Sequence, residues 1–254
     1  MNEQSVLQPP RASWFPVFSS PGSTGRLPWS RKPSRPGVLA GYPLADAYVK
    51  WYRTQDYYSG SGWRGTWKMD GGGALMNQSI HMFDILSWIM GDPELIQCES
   101  GTLGHDGIEV EDTAVVVFRY PGGAFGELEG TTAAYPGFFK RFEISGTGGS
   151  AIVEEDRIVQ WDFSIEQASD PGIREEFGVG SFSRSSVVRF ETEHAAHARQ
   201  YQDFIGAIEA GHPPAVDGRE ALRAVRMVEA AYKSASIGRS VTKKLDHKGD
   251  IEWV

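Results

Sequence analysis

Residues 113–132 read TAVVVFRYPGGAFGELEGTT, a stretch that predicts a β-hairpin. The runs Thr113–Tyr120 and Ala124–Thr132 contain β-branched and aromatic residues, which strands favour. Between them stands Pro121-Gly122-Gly123, a turn signal far too short for the crossover that parallel strands need. The two strands are therefore expected to pair antiparallel.

The same pattern continues on both sides of this hairpin. Phe138–Ser145 and Ser150–Glu154 flank the turn Gly146–Gly149, and Ile158–Phe163 follows an acidic turn. On the N-terminal side, Leu44–Arg53 alternates apolar and polar residues with the period of a half-buried strand. The middle of the chain is thus expected to form a meandering antiparallel sheet.

Three further segments have helical periodicity. A glycine run at Gly71–Gly73 leads into a helix that ends near Met90, before a Gly and a Pro. Segments 194–210 and 218–236 predict two amphipathic helices, after a stretch, 164–192, with little periodicity. Helices that are separate from an antiparallel sheet indicate an α+β fold, with an open, mostly antiparallel sheet and helices on one face.

The two late helices carry distinct apolar faces. Asp217 has the spacing of a capping box with Glu220 at the start of the second helix. The apolar face of the first helix consists of His197, Tyr201, Phe204, Ile205 and Ile208, and the inward face of the second of Leu222, Val225, Val228 and Tyr232.

The amino-acid composition of the chain changes near residue 43. Residues 1–43 hold eight of the fourteen prolines and have no helical or strand period. Prolines remove backbone donors and interrupt both regular structures. We therefore expect residues 1–43 to be a disordered or non-native leader, and residues 44–254 to form the folded domain.

Composition excludes several classes of protein. The 254 residues include 33 acidic and 25 basic side chains, a net charge of −8, so neither a nucleic-acid partner nor an anionic membrane is expected. The most apolar stretch, Ile80–Met90, is too short to span a bilayer, which takes about 20 residues. The single Cys98 cannot form an internal disulfide, and a cytoplasmic location is the default.

Asn77 and His81 are the strongest candidates for catalytic residues. They stand four residues apart, on one face of the helix that follows the glycine run. Histidine titrates near neutrality and can exchange a proton, while Asn77 could fix its ring or bind a substrate hydroxyl. The alternative is a structural histidine that Asp84 or a backbone carbonyl holds in the core.

The loop Tyr57–Trp67 provides candidate substrate contacts. Its aromatic rings, among them Tyr58 and Trp63, suit stacking on a sugar, and Arg64 suits a carboxylate or phosphate. Lys50 on the preceding strand is included as a further substrate contact. The alternative is an ordinary surface loop with aromatic packing anchors.

Other apparent motifs are set aside. His194 and His197 stand three residues apart but lack the glutamate of a HExxH site, so no metal is expected. His105 has no polar companion at a useful spacing. The glycine clusters at Gly71–Gly73 and Gly146–Gly149 lack the strand–turn–helix context of a dinucleotide site.

Several segments together resemble the Gfo/Idh/MocA oxidoreductases. The likeness runs from about Leu44 to Val241, and the glycine run with its histidine is the most specific part. The segments that carry it are Ala45–Arg53, Trp63–Trp67, Asp70–His81, Glu111–Ala114, Gly146–Gly149, Asp203–Ile205 and Pro213–Gly218.

This resemblance implies the substrate-binding and catalytic C-terminal domain of an NAD(P)-dependent oxidoreductase. Its substrate would be a sugar, sugar acid, cyclitol or nucleotide-sugar. The family's catalytic histidine corresponds to His81, and Asn77 stands where many members have Asp, which puts a carboxylate-assisted proton relay in doubt. The family's lysine belongs to its N-terminal Rossmann domain, and Lys50 does not match it.

Residues 1–43 are too few for a Rossmann domain, which needs well over about 100 residues. A truncated or frameshifted gene product, or one half of a split enzyme, is therefore expected. NAD or NADP is not expected to bind this chain alone. The expected partners are a second copy of the chain through the sheet face and a separately encoded Rossmann domain. The alternatives are a non-catalytic carbohydrate-binding or oligomerisation module, or an inert fragment.

Overall fold

The computed structural model describes residues 44–155, 157–178, 198, 200–245, 247 and 251–254. The leader predicted for residues 1–43 lies outside the described residues, and so do His194 and His197.

Within the described ranges, nine strands form one open sheet in the order β7-β6-β5-β1-β4-β3-β2-β8-β9. Every neighbouring pair is antiparallel except β1 and β4, which run parallel. The predicted open, mostly antiparallel sheet is therefore confirmed. The strands are Leu44–Lys50 (β1), Leu95–Gly101 (β2), Thr113–Arg119 (β3), Phe125–Thr131 (β4), Arg141–Gly146 (β5), Gly149–Glu154 (β6), Arg157–Phe163 (β7), Val241–Leu245 (β8) and Ile251–Trp253 (β9).

The helices lie in two groups along the chain, one between β1 and β2 and one between β7 and β8. The helix predicted after the glycine run begins as a π-helix, Ala74–Ser79, and α4 lies inside the stretch 164–192, where no helix was predicted. The α-helices are Gln55–Ser59 (α1), Trp67–Asp70 (α2), Ile80–Met90 (α3), Asp170–Phe177 (α4), residues 200–210 (α5) and Gly218–Ile237 (α6).

The alternation of β3 defines the two faces of the sheet. Ala114, Val116 and Phe118 are buried under the helices, whereas Val115 and Val117 are exposed on the other side. Phe118 packs edge-on against Phe83 of α3, with ring centroids 5.8 Å apart. The core therefore lies between one face of the sheet and the helices α3 and α6. We call the uncovered side the open face.

The late helices pack differently from the prediction. Asp217 caps α6 as expected, because its carboxylate accepts from the Glu220 N–H at 2.9 Å. The buried face of α6 is nevertheless rotated away from Leu222, which is 41% exposed, since a stripe of mostly small side chains meets β2 and α3. The buried stripe comprises Ala224, Met227, Val228, Ala230, Ala231 and Ser234, while Tyr232 and Val225 are half-buried.

Helix α5 buries a small residue and exposes its larger apolar ones. Ala207 is buried, whereas the larger apolar side chains that the sequence placed on one face are exposed. These exposed residues are Tyr201, Phe204, Ile205 and Ile208. In the part of the chain that the structure describes, no helix is both long and apolar enough to cross a membrane.

Candidate functional site

The buried carboxylate of Glu111 anchors the segment that leads into the site. It accepts from the N–H groups of Gly73 and Leu75, at 3.2 and 2.8 Å, and from the Tyr232 hydroxyl at 3.0 Å. The Ala74 N–H donates to the Glu111 backbone carbonyl at 3.0 Å. Burial raises the pKa of the Glu111 carboxyl, although these hydrogen bonds oppose the shift. One acidic residue thus fixes the start of the π-helix.

Two glycines are required at this anchor because the backbone approaches other groups closely. A Cβ on Gly73 would lie 1.8 Å from the Glu111 carbonyl oxygen, and one on Gly72 would lie 2.2 Å from the Tyr232 hydroxyl. No side chain larger than hydrogen fits such distances. The glycine run therefore serves close packing.

Asn77 is exposed on the π-helix, and its donors are already engaged. The amide Nδ2 donates to Asp70 Oδ1 at 2.8 Å and to the Gly72 carbonyl at 2.9 Å. An amide nitrogen has two hydrogens, so these two bonds use both. The carbonyl oxygen Oδ1 is left as the acceptor that Asn77 can offer to a hydroxyl.

His81 is the second residue of α3, four residues after Asn77, and is half-buried. Burial, and then the charge of Lys140, lower the pKa of His81 to about 4. Lys140 is itself buried, and its Nζ lies 3.4 Å from Glu155 Oε2. At neutral pH the imidazole is therefore uncharged and can accept a proton.

The loop between β1 and the π-helix brings Arg64 against two rings. Its Cζ lies 4.3 Å from the Tyr57 ring centroid and 5.0 Å from that of Trp63. Trp63 is 42% exposed, which leaves its ring accessible. A second arginine, Arg53, donates to Gln78 Oε1 at 3.3 Å, next to Asn77.

Tyr58 lies beneath this loop. It is buried, and its hydroxyl is 2.8 Å from Thr132 Oγ1. Its ring packs against His105, whose two nitrogens lie 2.9 Å from Asp112 Oδ2 and from the Arg53 carbonyl. The sequence prediction that His105 lacks a polar companion is therefore wrong. Tyr58 supports the loop from below, and its contact with a substrate stays a prediction.

Lys50 is separated from His81 by the sheet. Its Nζ pairs with Glu129 Oε2 at 2.6 Å on the open face, whereas α3 packs on the other face. The alternation of β1 explains this, because Ala45, Ala47 and Val49 take the core positions and Lys50 follows them on the other face. The structure thus places Lys50 on the opposite side of the sheet from the helix that carries His81, and it links the loop of Trp63 and Arg64 to Asn77 through Asp70.

The glycine run does not fit a dinucleotide phosphate. A pyrophosphate at a helix N-terminus needs free backbone N–H groups. Here the N–H groups of Gly73, Ala74 and Leu75 are all bonded to Glu111. Among the described residues no cluster of three or more His, Cys, Asp or Glu side chains could hold a metal ion.

Sequence reasoning missed three residues of this site. Arg53, Lys140 and Glu111 reach it across 25 or more residues of sequence, by contacts that no helical or strand period reports. Arg53 and Glu111 carried a signal as members of the stretches Ala45–Arg53 and Glu111–Ala114 in the resemblance, whereas Lys140 carried none.

Comparison with known proteins identifies relatives of this chain. Residues 44–242 match the model of an oxidoreductase family's C-terminal alpha/beta domain. A myo-inositol 2-dehydrogenase from Thermotoga maritima is 30% identical over 174 residues, which cover 67% of this chain and 49% of that protein. An inositol 2-dehydrogenase from Rhizobium meliloti is 26% identical over 177 residues, which cover 67% and 50%.

A solved structure is similar as well. The WlbA dehydrogenase from Bordetella pertussis, in complex with NADH and UDP-GlcNAcA, is 31% identical, with a TM-score of 0.70. The match covers 83% of this chain and 57% of that one. The chain spans about half the length of the curated relatives it matches.

Proposed function

The chain belongs to the Gfo/Idh/MocA oxidoreductase family, and we propose that it is the substrate-side half of an NAD(P)-dependent dehydrogenase that acts on a sugar or a related polyol. The relatives support the reaction class, since they are dehydrogenases, two of them named for inositol. The observation that carries the proposal is the geometry of His81 and Asn77, one helical turn apart on a segment that Glu111 anchors.

In this proposal His81 receives the proton of the substrate hydroxyl when the alcohol is oxidised. A pKa lowered to about 4 keeps the imidazole uncharged at neutral pH, so its ring nitrogen is free to accept the proton, although burial makes it a weaker base than an exposed histidine. The imidazolium that forms returns its proton in the reverse direction. Asn77 accepts a hydrogen bond from a neighbouring hydroxyl through Oδ1 and so orients the sugar. It does not relay protons, because an amide does not titrate.

Trp63 and Arg64 complete the proposed contact set. The exposed ring of Trp63 offers an apolar face for a sugar ring, and Arg64 offers charged donors. Tyr58 and Lys50 stay outside this set, because the first is buried with its hydroxyl engaged and the second lies on the open face.

We propose that the nicotinamide cofactor is held by a separate nucleotide-binding half. This is supported by the N–H groups of Gly73, Ala74 and Leu75 at the end of the glycine run, which all donate to Glu111. When bound, the cofactor would accept the hydride from the substrate carbon. WlbA was solved with NADH, which is consistent with a dinucleotide site in its longer chain.

A chimeric enzyme tests this function. The N-terminal half of the Thermotoga maritima relative would be joined before Leu44, and reduction of NAD or NADP would be followed with inositols, sugars and sugar acids. We expect turnover, and a loss of roughly 10²- to 10⁴-fold in kcat for His81→Ala, as for other general acid–base groups.

Control measurements make this result decisive. Leu103→Ala, in an exposed loop, should leave kcat unchanged. An active chimera whose kcat is insensitive to His81→Ala would remove His81 from the mechanism. Sugar binding by a folded chimera that never reduces the nicotinamide would instead favour a carbohydrate-binding module.

A further inference from the structure

Two arginines converge on one tyrosine ring beside the proposed site. The Cζ atoms of Arg53 and Arg64 lie 5.3 and 4.3 Å from the Tyr57 ring centroid. Cation–π contact favours each guanidinium, but two like charges held by one ring also repel each other. A negative group between them would relieve this repulsion.

Neither arginine has a carboxylate partner in the described part of the chain. The guanidinium of Arg53 donates to the Tyr52 carbonyl and to Gln78 Oε1 only. The Nε atoms of Arg53 and of Arg64 are both shielded from solvent without a hydrogen-bond partner. A buried donor without an acceptor is unfavourable, and a donor of a charged group more so. Both arginines therefore have unused donors.

Hydrogen bonds tie both arginines to the turn before His81. Gly65, the neighbour of Arg64, donates to Asp70 Oδ2 at 2.8 Å, and Asp70 Oδ1 accepts from Asn77. Arg53 contacts Gln78, the residue after Asn77. Arg53 thus contacts the Asn77–Gln78 turn directly, and the backbone beside Arg64 is linked to the same turn through Asp70.

The electrostatic surroundings favour an anion at this place. The charge of Lys140, which pairs with Glu155, also acts on His81. Asp70 is the carboxylate bonded within this turn, and each of its oxygens already accepts a hydrogen bond. This local excess of positive charge stands out in a chain whose net charge is −8.

We propose that Arg53 and Arg64 form an oxyanion subsite, so that the substrate is a sugar derivative that carries a carboxylate or a phosphate group. Guanidinium groups bind both oxyanions through paired, charge-assisted hydrogen bonds. The Tyr57 ring holds the two groups in place before the ligand arrives. This inference rests on the proposed function, because it names the substrate class of the same site.

Calorimetry on the 254-residue chain tests the subsite with three probes. D-glucuronate carries a carboxylate, inorganic pyrophosphate carries phosphate, and glucose is the neutral reference. We expect at least one anion to bind more tightly than glucose, with an affinity that falls as salt is raised. Arg53→Gln and Arg64→Gln should each weaken that binding roughly 10- to 100-fold, the usual effect of losing a hydrogen bond to a charged group.

Matched variants separate binding from folding. Arg219→Gln changes an exposed arginine on α6 and should leave the affinity unchanged. Arg64→Lys keeps the charge but loses the paired geometry, so an intermediate affinity is expected. Thermal unfolding of each variant shows whether the fold is intact.

Each outcome decides the question. Binding of glucuronate alone assigns the subsite to a carboxylate, and binding of pyrophosphate alone assigns it to a phosphate. Binding of neither anion above glucose, or binding that a folded Arg53→Gln, Arg64→Gln double variant retains, overturns the proposal. Turnover of a neutral sugar that depends on His81 but not on these arginines would leave the proposed function standing without the subsite.

Discussion

Asp46 is a carboxyl group in an unfavourable position on the open face. It is 8% exposed, and in the described structure its Oδ1 is buried without a hydrogen-bond partner. The sheet register sets it directly beside Glu127 on β4 and Glu143 on β5. Burial first, and then these two charges, raise the pKa of Asp46 to about 6. Ionised Asp46 therefore opposes folding at neutral pH.

Replacing this carboxyl should stabilise the protein in a pH-dependent way. Between about pH 4 and pH 6 the folded state binds more protons at Asp46 than the unfolded state, so this group's contribution to stability falls as pH rises through that window. Asp46→Asn should raise the free energy of unfolding by about 1 to 3 kcal/mol near pH 8, at about 1.4 kcal/mol per pKa unit, and have little effect near pH 4.

Urea denaturation at the two pH values measures this difference. Asp162→Asn provides the control, because Asp162 is an exposed carboxyl on β7 and its removal should change stability little at either pH. An Asp46→Asn protein no more stable than the parent near pH 8 would contradict the prediction.

Residues of the site divide into those that local spacing reveals and those that it cannot reveal. The interval of four between Asn77 and His81 predicts two side chains about one turn apart, and the structure places both residues on consecutive helical segments. Arg53 and Glu111 contact the same segment from 25 and 36 residues away. Their roles depend on how the sheet and helices come together, which the periodicity of one segment does not encode.

At the scale of elements, the glycine run and the π-helix act as one unit. The close contact of Gly73 with the Glu111 carbonyl allows Glu111 to bond the next N–H groups. A π-helix is rare and occurs often at functional sites. Here it carries Asn77 and ends where the helix of His81 begins.

A methyl group at Gly73 should break this unit. Its Cβ would lie 1.8 Å from a backbone oxygen, so the anchor must move. Gly73→Ala should lower the free energy of unfolding by at least about 1 to 3 kcal/mol, the usual effect of overpacking. Gly62→Ala is the matched control, because a Cβ there meets nothing within 4 Å. Chemical denaturation of both variants checks this, and equal stabilities would show that the anchor is not rigid.

Elements are predicted from sequence to the extent that their signals are local. The hairpin between β3 and β4 follows from two alternating strands and a Pro-Gly-Gly turn, and the register pairs Thr113 with Thr131 as a hairpin requires. The parallel pairing of β1 with β4 joins segments about 80 residues apart, and no turn signal announces it. The π-helix was predicted as an ordinary helix because the two share an apolar pattern.

At the scale of the whole molecule, the described residues cover the sheet on one face only. The open face exposes four apolar side chains on three adjacent strands: Leu44, Val115, Val117 and Phe125. In the sheet register Phe125 lies beside Leu44 on β1 and beside Arg119 on β3. Leu44 and Phe125 therefore form one contiguous apolar surface. Antiparallel sheets can face water on one side, but such faces are usually polar. Exposed apolar groups that adjoin one another favour association.

We therefore expect two copies of the chain to associate through their open faces. A second copy is the partner that this surface fits, because charges of both signs flank the apolar residues, as in the pair Lys50–Glu129, and a two-fold arrangement can oppose them. Phe125→Asp would place a charge within this apolar surface and should weaken the dimer at least about 10-fold, since burying an unpaired charge is strongly unfavourable. Light scattering coupled to chromatography reports the mass.

Leu103→Asp, at a 77% exposed position in the loop after β2, is the control and should leave the mass unchanged. A parent protein that remains monomeric at micromolar concentration, or a Phe125→Asp variant that stays as dimeric as the parent, would show that the open face is not the association surface.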